Sequence, residues 1–325
     1  MRKVFEDTYV AVTGGAGFLG FHLCKKLLEL GANVKIYDNL STGNSKNIDD
    51  LTQKKLEFIR GDVRDLGALE NCVKNCEFIF HLAAQSSVPY SMIHPTEDFE
   101  VNARGTLNVL ESARKKGARI VFTSTSAVYG NAEKTPTPED HPTQPISFYG
   151  LSKCVAEDYC RFYHKNYGVE VVVLRIFNAY GLRGHGVIPD FLSKLKRIPH
   201  KLEVLGTGEQ SRDFIHASDV VRAFVLCAQS QKADGEVYNV GSGTTISVTA
   251  LAKMIIALLN LRGVTKLFFT GGQAWAGDAK LTHADISKII GDLNWRPLLK
   301  LKDGIENLLS QKRDTGQSQR SCRCE

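Results

Sequence analysis

Short apolar runs alternate with longer amphipathic segments over the first 175 residues, and this rhythm constrains the fold more than any other feature. The runs are rich in β-branched residues and nearly continuous, which is typical of parallel strands buried on both faces. The predicted strands are Tyr9–Thr13, Asn33–Tyr37, Leu56–Arg60, Phe78–Leu82, Arg119–Thr123 and Val169–Leu174, and the predicted helices are Gly17–Leu30, Leu66–Asn75, Thr96–Lys116 and Phe148–Tyr167. This order predicts an α/β fold, a doubly wound parallel sheet with right-handed crossovers.

After Tyr180 the regular alternation of strands and helices ends, and short strands, loops and helices follow. Strands are predicted at Glu203–Leu205 and Val237–Val240, and helices at Ile246–Leu259 and Ile305–Gln311. We therefore predict a first domain over residues 1–178 and a smaller mixed α/β lobe over residues 179–312, with segments free to interleave between them. Residues 313–325 are polar and rich in Arg and Ser, which predicts a disordered tail.

Composition excludes several classes of protein. The chain has 325 residues, of which 43% are hydrophobic and 23% charged, and no apolar run long enough for a membrane span. Its start carries charges of both signs and no signal-like segment, so we predict a cytoplasmic protein with reduced thiols. The eight cysteines show no zinc-ligand spacing, and the charge of +6 comes without a basic–aromatic module, so neither a metal nor a nucleic acid is predicted.

A glycine-rich segment, Thr13–Gly20, joins the first strand to the first helix. Gly14 or Gly15, followed by Gly17 and Gly20, fits the dinucleotide fingerprint, in which glycines let the backbone approach a pyrophosphate at a helix N-terminus. A plain strand-to-helix turn is the alternative. Asp38 favours the dinucleotide, because it ends the second strand about 20 residues on and can accept both ribose hydroxyls. Its charge would repel a 2′-phosphate, so NAD is predicted rather than NADP.

Three further positions lie at the same predicted sheet edge, where open α/β sheets bind ligands. Asp62 ends the third strand and could accept a hydrogen bond from the adenine amino group. A turn or helix-cap role is the alternative. Leu82, Ala83 and Ala84 end the fourth strand, where small residues admit a cofactor. Asn102 begins a turn of a predicted helix and fits a structural role equally well.

Tyr149 and Lys153 are spaced i, i+4 on one predicted helix face. A tyrosine has a reference pKa of about 10 and needs nearby positive charge to act as a base near neutrality. A lysine ammonium and a nicotinamide ring would supply that charge; an exposed pair on an amphipathic helix is the alternative. The hydroxyls of Ser124, Thr125 and Ser126 reach the same edge, where one could relay a proton with the tyrosine.

The chain resembles the extended short-chain dehydrogenase/reductase family, in its NAD-dependent nucleotide-sugar epimerase/dehydratase branch. The motifs that carry the resemblance span about residues 8–310: Thr13–Gly20, Asp38, Gly61–Val63, His81–Ala84, Thr123–Gly130, Tyr149–Lys153, Arg175–Asn178 and Arg212–His216. Members similar to UDP-glucose 4-epimerase match best. The resemblance implies a Rossmann fold, NAD, a UDP-sugar substrate and a homodimer built from the helices Thr96–Lys116 and Phe148–Tyr167.

The resemblance also implies the roles of individual residues. Tyr149 would be the catalytic base and acid, Lys153 would hold the nicotinamide ribose and lower the Tyr149 pKa, and Thr125 would be the catalytic hydroxyl. The implied cofactor-binding residues are Gly14, Gly17, Phe18, Leu19, Gly20, Asp38, Asn39, Ser41, Thr42, Gly43, Asp62, Val63, Leu82, Ala83, Ala84, Thr123, Tyr149, Lys153 and Phe177. The implied substrate-binding residues are Ser87, Thr125, Asn178, Val187, Ile188, Leu205, Arg212, Asp278 and Thr282.

Departures from the family pattern indicate which of the family's reactions and substrates this chain favours. Dehydratases of the family place Asp-Glu after the catalytic Thr, and decarboxylases keep the Glu, but this chain has Ser126 and Ala127. Many members also carry an Arg, as a second diphosphate contact, where this chain has Trp275. Thr282 stands at the family's bulk-controlling position, and its small size favours tolerance of N-acetylhexosamines.

The predicted function is 4-epimerisation of a UDP-sugar (UDP-glucose/UDP-galactose, with the N-acetylhexosamine pair as a further possibility) through a transient 4-keto intermediate. The alternatives are another oxidoreductase or epimerase of the same family, such as a UDP-glucuronate 4-epimerase or a reductase, and a catalytically silent NAD-binding interaction protein.

Overall fold

The computed structural model describes residues 4–51 and 54–310. The strands are β1 (Tyr9–Thr13), β2 (Asn33–Asp38), β3 (Leu56–Arg60), β4 (Phe78–His81), β5 (Arg119–Thr125), β6 (Val171–Ile176), β7 (Asn178–Tyr180), β8 (Lys201–Val204), β9 (Ser211–Arg212), β10 (Phe214–His216), β11 (Val237–Val240), β12 (Ile246–Ser247) and β13 (Lys266–Phe269). The helices are α1 (Phe18–Glu29), α2 (Ser45–Asp49), α3 (Leu66–Cys72), α4 (Val88–Ile93), α5 (Pro95–Phe99), α6 (Gly105–Lys116), α7 (Phe148–Tyr167), α8 (Val187–Arg197), α9 (Ala217–Gln229), α10 (Val248–Leu258), α11 (Ser287–Leu293) and α12 (301–310).

Seven parallel strands form the central sheet, in the order β11-β6-β5-β4-β1-β2-β3. The chain runs outward from β1 to β3 and then returns to β4 on the other side of β1. The carboxyl ends of β1 and β4 therefore flank the point where the strand order reverses, which is where sheets of this type bind ligands. The predicted doubly wound parallel fold is confirmed.

Helices cover both faces of this sheet. On one face, Leu23 of α1 and Phe224 of α9 pack in the same fully buried cluster as Val12 of β1. On the other face, Leu110 of α6 and Cys160 of α7 belong to a second cluster. Burial on both sides explains why the strands read as continuous apolar runs rather than as alternating patterns.

A third core lies in the C-terminal part of the chain. It joins α8, β8, α10 and α12 through buried residues such as Leu192, Leu202, Leu251 and Ile305. Three two-stranded sheets, β7–β10, β9–β12 and β8–β13, accompany it. Within the described residues, no helix combines the length and apolar character that crossing a membrane requires.

Several element bounds differ from the sequence-based prediction. Val237–Val240 lies where it was predicted, but it pairs with β6 and so extends the central sheet. The helix predicted from Ile246 begins at Val248, after a two-residue strand that pairs with β9. The helix predicted over Thr96–Lys116 is α5 and α6 joined by a π-helical turn, Glu100–Arg104. The predicted tail, 313–325, lies outside the described residues.

Candidate active site

The glycine-rich turn brings the backbone of β1 close to that of β4. Gly14 has a positive φ of 71°, and a Cβ there would lie 2.6 Å from the Ala83 backbone nitrogen. A Cβ at Gly20 would lie 2.2 Å from the Gly14 carbonyl oxygen. Gly17 begins α1 without a side-chain cap, so the first-turn amides of Phe18 and Leu19 are open to an anion. This cradle fits a pyrophosphate.

Asp38 ends β2 beside this turn, as the fingerprint requires. Its buried carboxylate accepts hydrogen bonds from the Ala16 amide, at 3.0 Å, and from the Leu40 amide, at 2.8 Å. Burial raises the pKa of Asp38, and the two amides oppose that rise. Gly43 lies against it, since a Cβ at Gly43 would come within 2.9 Å of an Asp38 oxygen. The following Ser41 and Thr42 are exposed.

Asp62 is held by protein groups in this structure. Arg64 binds both of its carboxylate oxygens, at 2.9 and 2.7 Å, and Asn39 donates to it at 2.9 Å. These bonds, led by Arg64, lower the pKa of Asp62 well below its usual range. An adenine amine would have to share this carboxylate with Arg64. Val63 is buried against Gly105, while Leu82, Ala83 and Ala84 are partly exposed at the end of β4.

Tyr149 lies in the first turn of α7. Ser147 begins this helix by accepting a hydrogen bond from the Gly150 amide, and Ser91 accepts one from the Tyr149 amide at 3.1 Å. The phenol is partly buried, and burial raises the pKa of Tyr149 to about 12. A hydrogen bond with Thr125 opposes this rise, whereas the charge of Asp98 adds to it. Near neutrality, a Tyr149 base therefore needs further positive charge.

Lys153 lies one turn along α7 and is fully buried. Its ammonium donates to the Thr123 carbonyl at 2.9 Å and lies 4.8 Å from the centre of the Phe122 ring. Burial lowers the pKa of Lys153 to about 8, and the charge of Asp98 is the largest effect opposing this. Lys153 therefore keeps its proton near neutrality and loses it at a lower pH than an exposed lysine does.

The structure separates the hydroxyls at the end of β5. Ser124 is buried and donates to Glu157 at 2.5 Å, so it is committed to a structural bond. Thr125 caps the 3₁₀ turn Ser126–Tyr129, and its hydroxyl lies near enough to the Tyr149 phenol to lower the Tyr149 pKa. The hydroxyl of Thr123 is buried without a hydrogen-bond partner among the described residues. Thr125 is therefore the hydroxyl placed to act with the phenol.

The predicted substrate residues fall into two groups. Arg212 and Asp278 form an ion pair of 2.5 Å, and both side chains are nearly buried. Asn178 donates to Thr282 at 3.0 Å, which ties β7 to the loop before α11. Trp275 is exposed and its carbonyl accepts from the Asp278 amide. These contacts bring residues from distant parts of the chain to one edge.

Other predicted residues are placed less directly. Ile188 is buried in the third core, so only its backbone could reach a ligand, and Val187 packs against that same core. Phe177 is buried beside Tyr129. Leu205 is exposed, and Ser87 caps α4 by accepting from the Tyr90 amide. Their side chains have no contact with Tyr149 among those recorded for the described residues.

Asn102, left open by the sequence, is fully buried and binds protein groups. Its side-chain amide donates to the Gln85 carbonyl, to Asp98 and to Ser152, and its oxygen accepts from the Gln85 amide. This favours the structural interpretation. Neither Asp98 nor Ser91 could be found from the sequence, because neither belongs to a recognised spacing. Among the described residues no cluster of His, Cys, Asp and Glu could hold a metal ion.

A dinucleotide cradle at the switch point of a parallel sheet, beside a Tyr–Thr–Lys set, defines a class of α/β oxidoreductase-like enzymes. The sequence profile of the GDP-mannose 4,6 dehydratase family matches residues 11–308, and the chain belongs to this family. The predicted extended short-chain dehydrogenase/reductase membership, in the nucleotide-sugar epimerase/dehydratase branch, is confirmed.

Individual relatives differ in their reactions. A putative UDP-glucose 4-epimerase of Methanocaldococcus jannaschii is 37% identical over 309 residues, which are 93% of this chain and 97% of that protein. A UDP-glucuronic acid decarboxylase of Xenopus tropicalis is 34% identical over 310 residues, which are 92% of this chain and 71% of that protein.

Solved structures show the same breadth. The UDP-glucose 4-epimerase of Thermotoga maritima, determined with UDP-glucose, has a TM-score of 0.88 and 33% identity, covering 95% of this chain and 99% of that one. A dTDP-glucose 4,6-dehydratase of Streptomyces venezuelae, determined with NAD, has a TM-score of 0.87 and 30% identity, covering 94% and 97%. The family is thus shown, while its members catalyse different reactions on nucleotide sugars.

Proposed function

We propose that the protein is an NAD-dependent 4-epimerase of UDP-linked hexoses. The observation that carries this proposal is the contact of Tyr149 with Thr125 at the sheet edge, next to positions that offer no carboxylate. Ser126 and Ala127 follow Thr125 directly, so this turn has no acid to expel water from a sugar. Hydride and proton movement alone are left, and these suffice for epimerisation.

The cofactor is proposed to be NAD. The open amides of α1, the close approach at Gly14 and the carboxylate of Asp38 fit its pyrophosphate and adenosine ribose. Bound NAD would supply the hydride acceptor and the positive charge that a buried Tyr149 lacks. Asp38 would disfavour the extra phosphate of NADP.

The protein's own residues would handle the proton. Tyr149, as phenolate, would take the proton of the sugar's 4-hydroxyl, with the Thr125 hydroxyl bonded to the same oxygen. Lys153 would stay an ammonium, stabilise the phenolate and hold the nicotinamide ribose. The resulting 4-keto sugar would rotate within the site, so that hydride returns to the opposite face of C4. Tyr149 would then return the proton to the 4-oxygen.

The sugar nucleotide is proposed to bind between the central sheet and the third core, within the lobe predicted over residues 179–312. Arg212 would contact the diphosphate as a guanidinium fork, exchanging part of its bond to Asp278 for phosphate oxygens. Asn178 and Thr282 would line the sugar, and the small Thr282 side chain leaves room for an N-acetyl group. We therefore propose UDP-N-acetylhexosamines as further substrates.

We also propose a cytoplasmic homodimer. The helices α5 to α7 expose large apolar side chains that one soluble subunit would leave in water: Phe99, Phe148, Leu151, Tyr159, Phe162 and Tyr167. A second copy packed on α6 and α7 would cover them. Sedimentation of Phe162→Glu beside the wild type tests this, with a shift to monomer expected.

Incubation of the purified protein with single sugar nucleotides tests the reaction. UDP-glucose, UDP-N-acetylglucosamine and UDP-glucuronate are supplied separately, without added cofactor, and products are resolved by chromatography. The C4 epimer of one or both hexoses is expected, with no net change in reduced cofactor. Formation of a pentose or a 4-keto-6-deoxy product would assign the protein to a different reaction of the family.

A further inference from the structure

Asp98 is a fully buried carboxylate to which the proposed reaction assigns no part. It lies on α5, which packs against α7. One oxygen accepts from the side-chain amides of Gln85, at 2.9 Å, and Asn102, at 3.1 Å. The other oxygen is buried and has no hydrogen-bond partner among the described residues. A buried charge left this incompletely bonded is unfavourable unless a cation compensates it.

Other buried carboxylates in the described chain are better compensated. Asp38 and Asp213 accept hydrogen bonds from two and three backbone amides. Glu157 and Asp278 form ion pairs with buried arginines. Asp98 has neither a backbone amide nor an ion pair within 4 Å in the described residues, which sets it apart.

Lys153 is the matching exception among the buried cations. The guanidinium groups of Arg119, Arg175 and Arg212 each lie within 4 Å of a carboxylate. In the described part of the chain the Lys153 ammonium has no such partner and bonds only a carbonyl oxygen, above an aromatic ring. Two uncompensated opposite charges are thus buried on helices that pack together.

A short chain of hydrogen bonds connects them. The Asn102 amide donates both to Asp98 and to the hydroxyl of Ser152, the residue before Lys153. Ser152 in turn donates to the Tyr149 carbonyl at 3.1 Å. The carboxylate is therefore fixed relative to the turn of α7 that carries both proposed catalytic groups.

We propose that Asp98 is the buried counter-charge of Lys153, a positioning residue that holds Lys153 as an ammonium beside Tyr149. Charges in a protein interior interact over longer distances than in water, so contact is not required. The assignment rests on the proposed function, because it is there that the charge of Lys153 acts on the phenol. Nothing in the spacing of Tyr149 and Lys153 pointed to a third charge.

The electrostatics agree with this geometry. Burial lowers the pKa of Lys153, and Asp98 opposes that effect more than Cys160 or Glu157 does. The same carboxylate raises the pKa of Tyr149. Removing its charge should therefore lower both pKa values.

The other charged groups around these helices have local partners. Glu157 is held by Arg175, and burial together with the charge of Lys153 keeps the pKa of His81 low, so that His81 is neutral. The remaining neighbours pair with one another at the surface: Glu100 with Arg104, Tyr90 with Glu97, and Glu111 with Arg114 and Tyr163.

The pH dependence of turnover by Asp98→Asn tests the proposal. Activity should rise with pH as Tyr149 ionises and fall as Lys153 loses its proton. In Asp98→Asn both limbs should move to lower pH by about one unit, the size of effect that a charge at this range exerts. Glu97→Gln, at the exposed neighbouring carboxylate, should move neither limb, and Asp98→Glu should restore the wild-type profile. A uniform loss of rate with unmoved limbs would overturn the proposal.

A second measurement needs no turnover, so its failure is separable from failure of the proposed reaction. The ionisation of Tyr149 is read as phenolate absorbance, by difference from Tyr149→Phe, with NAD present. It should occur about one unit lower in pH in Asp98→Asn than in the wild type. An unchanged value would show that Asp98 carries no charge, and would overturn the proposal whatever the reaction is.

Lys153→Met provides the test if Asp98→Asn fails to fold. Burial already raises the pKa of Asp98 in the folded state and the charge of Lys153 opposes that rise, so this variant should raise the Asp98 pKa further. The Tm loss relative to wild type should then grow as pH rises from about 4 to 7, because folding opposes ionisation of Asp98. A Tm difference independent of pH would contradict the pairing.

Discussion

Two polar clusters lie around strand β5 and helix α7, and they differ in how fully their charges are matched. In the paired cluster (Ser124, Tyr129, Glu157, Arg175 and Asn239), Arg175 binds both oxygens of Glu157, and each hydroxyl has a partner. In the reactive cluster (Asp98, Thr125, Tyr149 and Lys153), no ion pair within 4 Å is formed among the described residues.

The difference shows which cluster stores stability and which is available for chemistry. Fully satisfied buried networks fix a structure, whereas shifted pKa values with unmatched charge are characteristic of reactive sites. Asp98 and Lys153 are as deeply buried as Glu157 and Arg175, and Lys153 lies one turn before Glu157 on α7. Residue type and burial alone therefore do not separate them, and the bonding of each side chain does.

The largest expected effect is the loss of turnover in Tyr149→Phe. Removing the proposed base should lower kcat by about 10³-fold or more, while NAD stays bound and the fold is unchanged. Tyr129→Phe is the matched variant in the paired cluster. It should keep kcat within about twofold and lower the free energy of unfolding by about 1–2 kcal/mol, since Arg175 and Asn239 lose a partner. Equal loss of turnover in both variants would remove the distinction.

Glu157→Gln should have the largest effect on stability. It leaves Arg175 buried without its carboxylate, which should cost about 3–5 kcal/mol in urea unfolding. Lys153→Met should instead abolish turnover and lower stability by an amount that grows as pH rises from about 4 to 7, because it leaves the buried Asp98 without its counter-charge. A loss of about 3–5 kcal/mol in Lys153→Met that does not change with pH would place Lys153 in the same structural role as Arg175.

The neighbouring hydroxyls of Ser124 and Thr125 on β5 should also differ in role, one contributing to stability and the other to turnover. Thr125→Ala should lower kcat by about 10²-fold, because the phenol loses its hydrogen-bond partner. Ser124→Ala should leave kcat within about threefold and lower the free energy of unfolding by about 1–3 kcal/mol, because Glu157 loses a donor. Steady-state kinetics and urea titration of both variants decide the assignment.

The smallest expected effect is the alkaline fall of activity. The pKa of Lys153 is lowered to about 8, so the ammonium is present below that pH and lost above it. Turnover should therefore decline as pH rises through about 8. The stability contribution has the opposite sign: the unfolded chain binds an extra proton between about 8 and 10.4, so stability rises with pH over that window. Activity that is flat to pH 10 would contradict a charged role for Lys153.

Much of the nucleotide-binding half follows from local sequence. Strands β1 and β3 and helix α7 have the predicted bounds, because apolar periodicity and the caps at Ser147 and Gly168 are local signals. The membership of Val237–Val240 in the central sheet was not predicted, since an apolar run does not specify its partner strand.

The candidate site shows the same limit. Tyr149 and Lys153 could be found from their spacing, but Asp98 reaches them only through packing of α5 on α7. The bond of Asp62 to Arg64 and the pairing of Arg212 with Asp278 likewise depend on side-chain geometry that sequence spacing does not encode. Their charges were visible in the sequence, but their partners were not.

Epimerisation of UDP-galactose that carries deuterium at C4 tests the central claim most directly. Hydrogen removed from C4 and returned within one closed site should remain on that carbon. The account predicts UDP-glucose that retains the deuterium at C4 when the product is examined by NMR in ordinary water. Product with solvent hydrogen at C4, or no product from the wild-type protein, would contradict it.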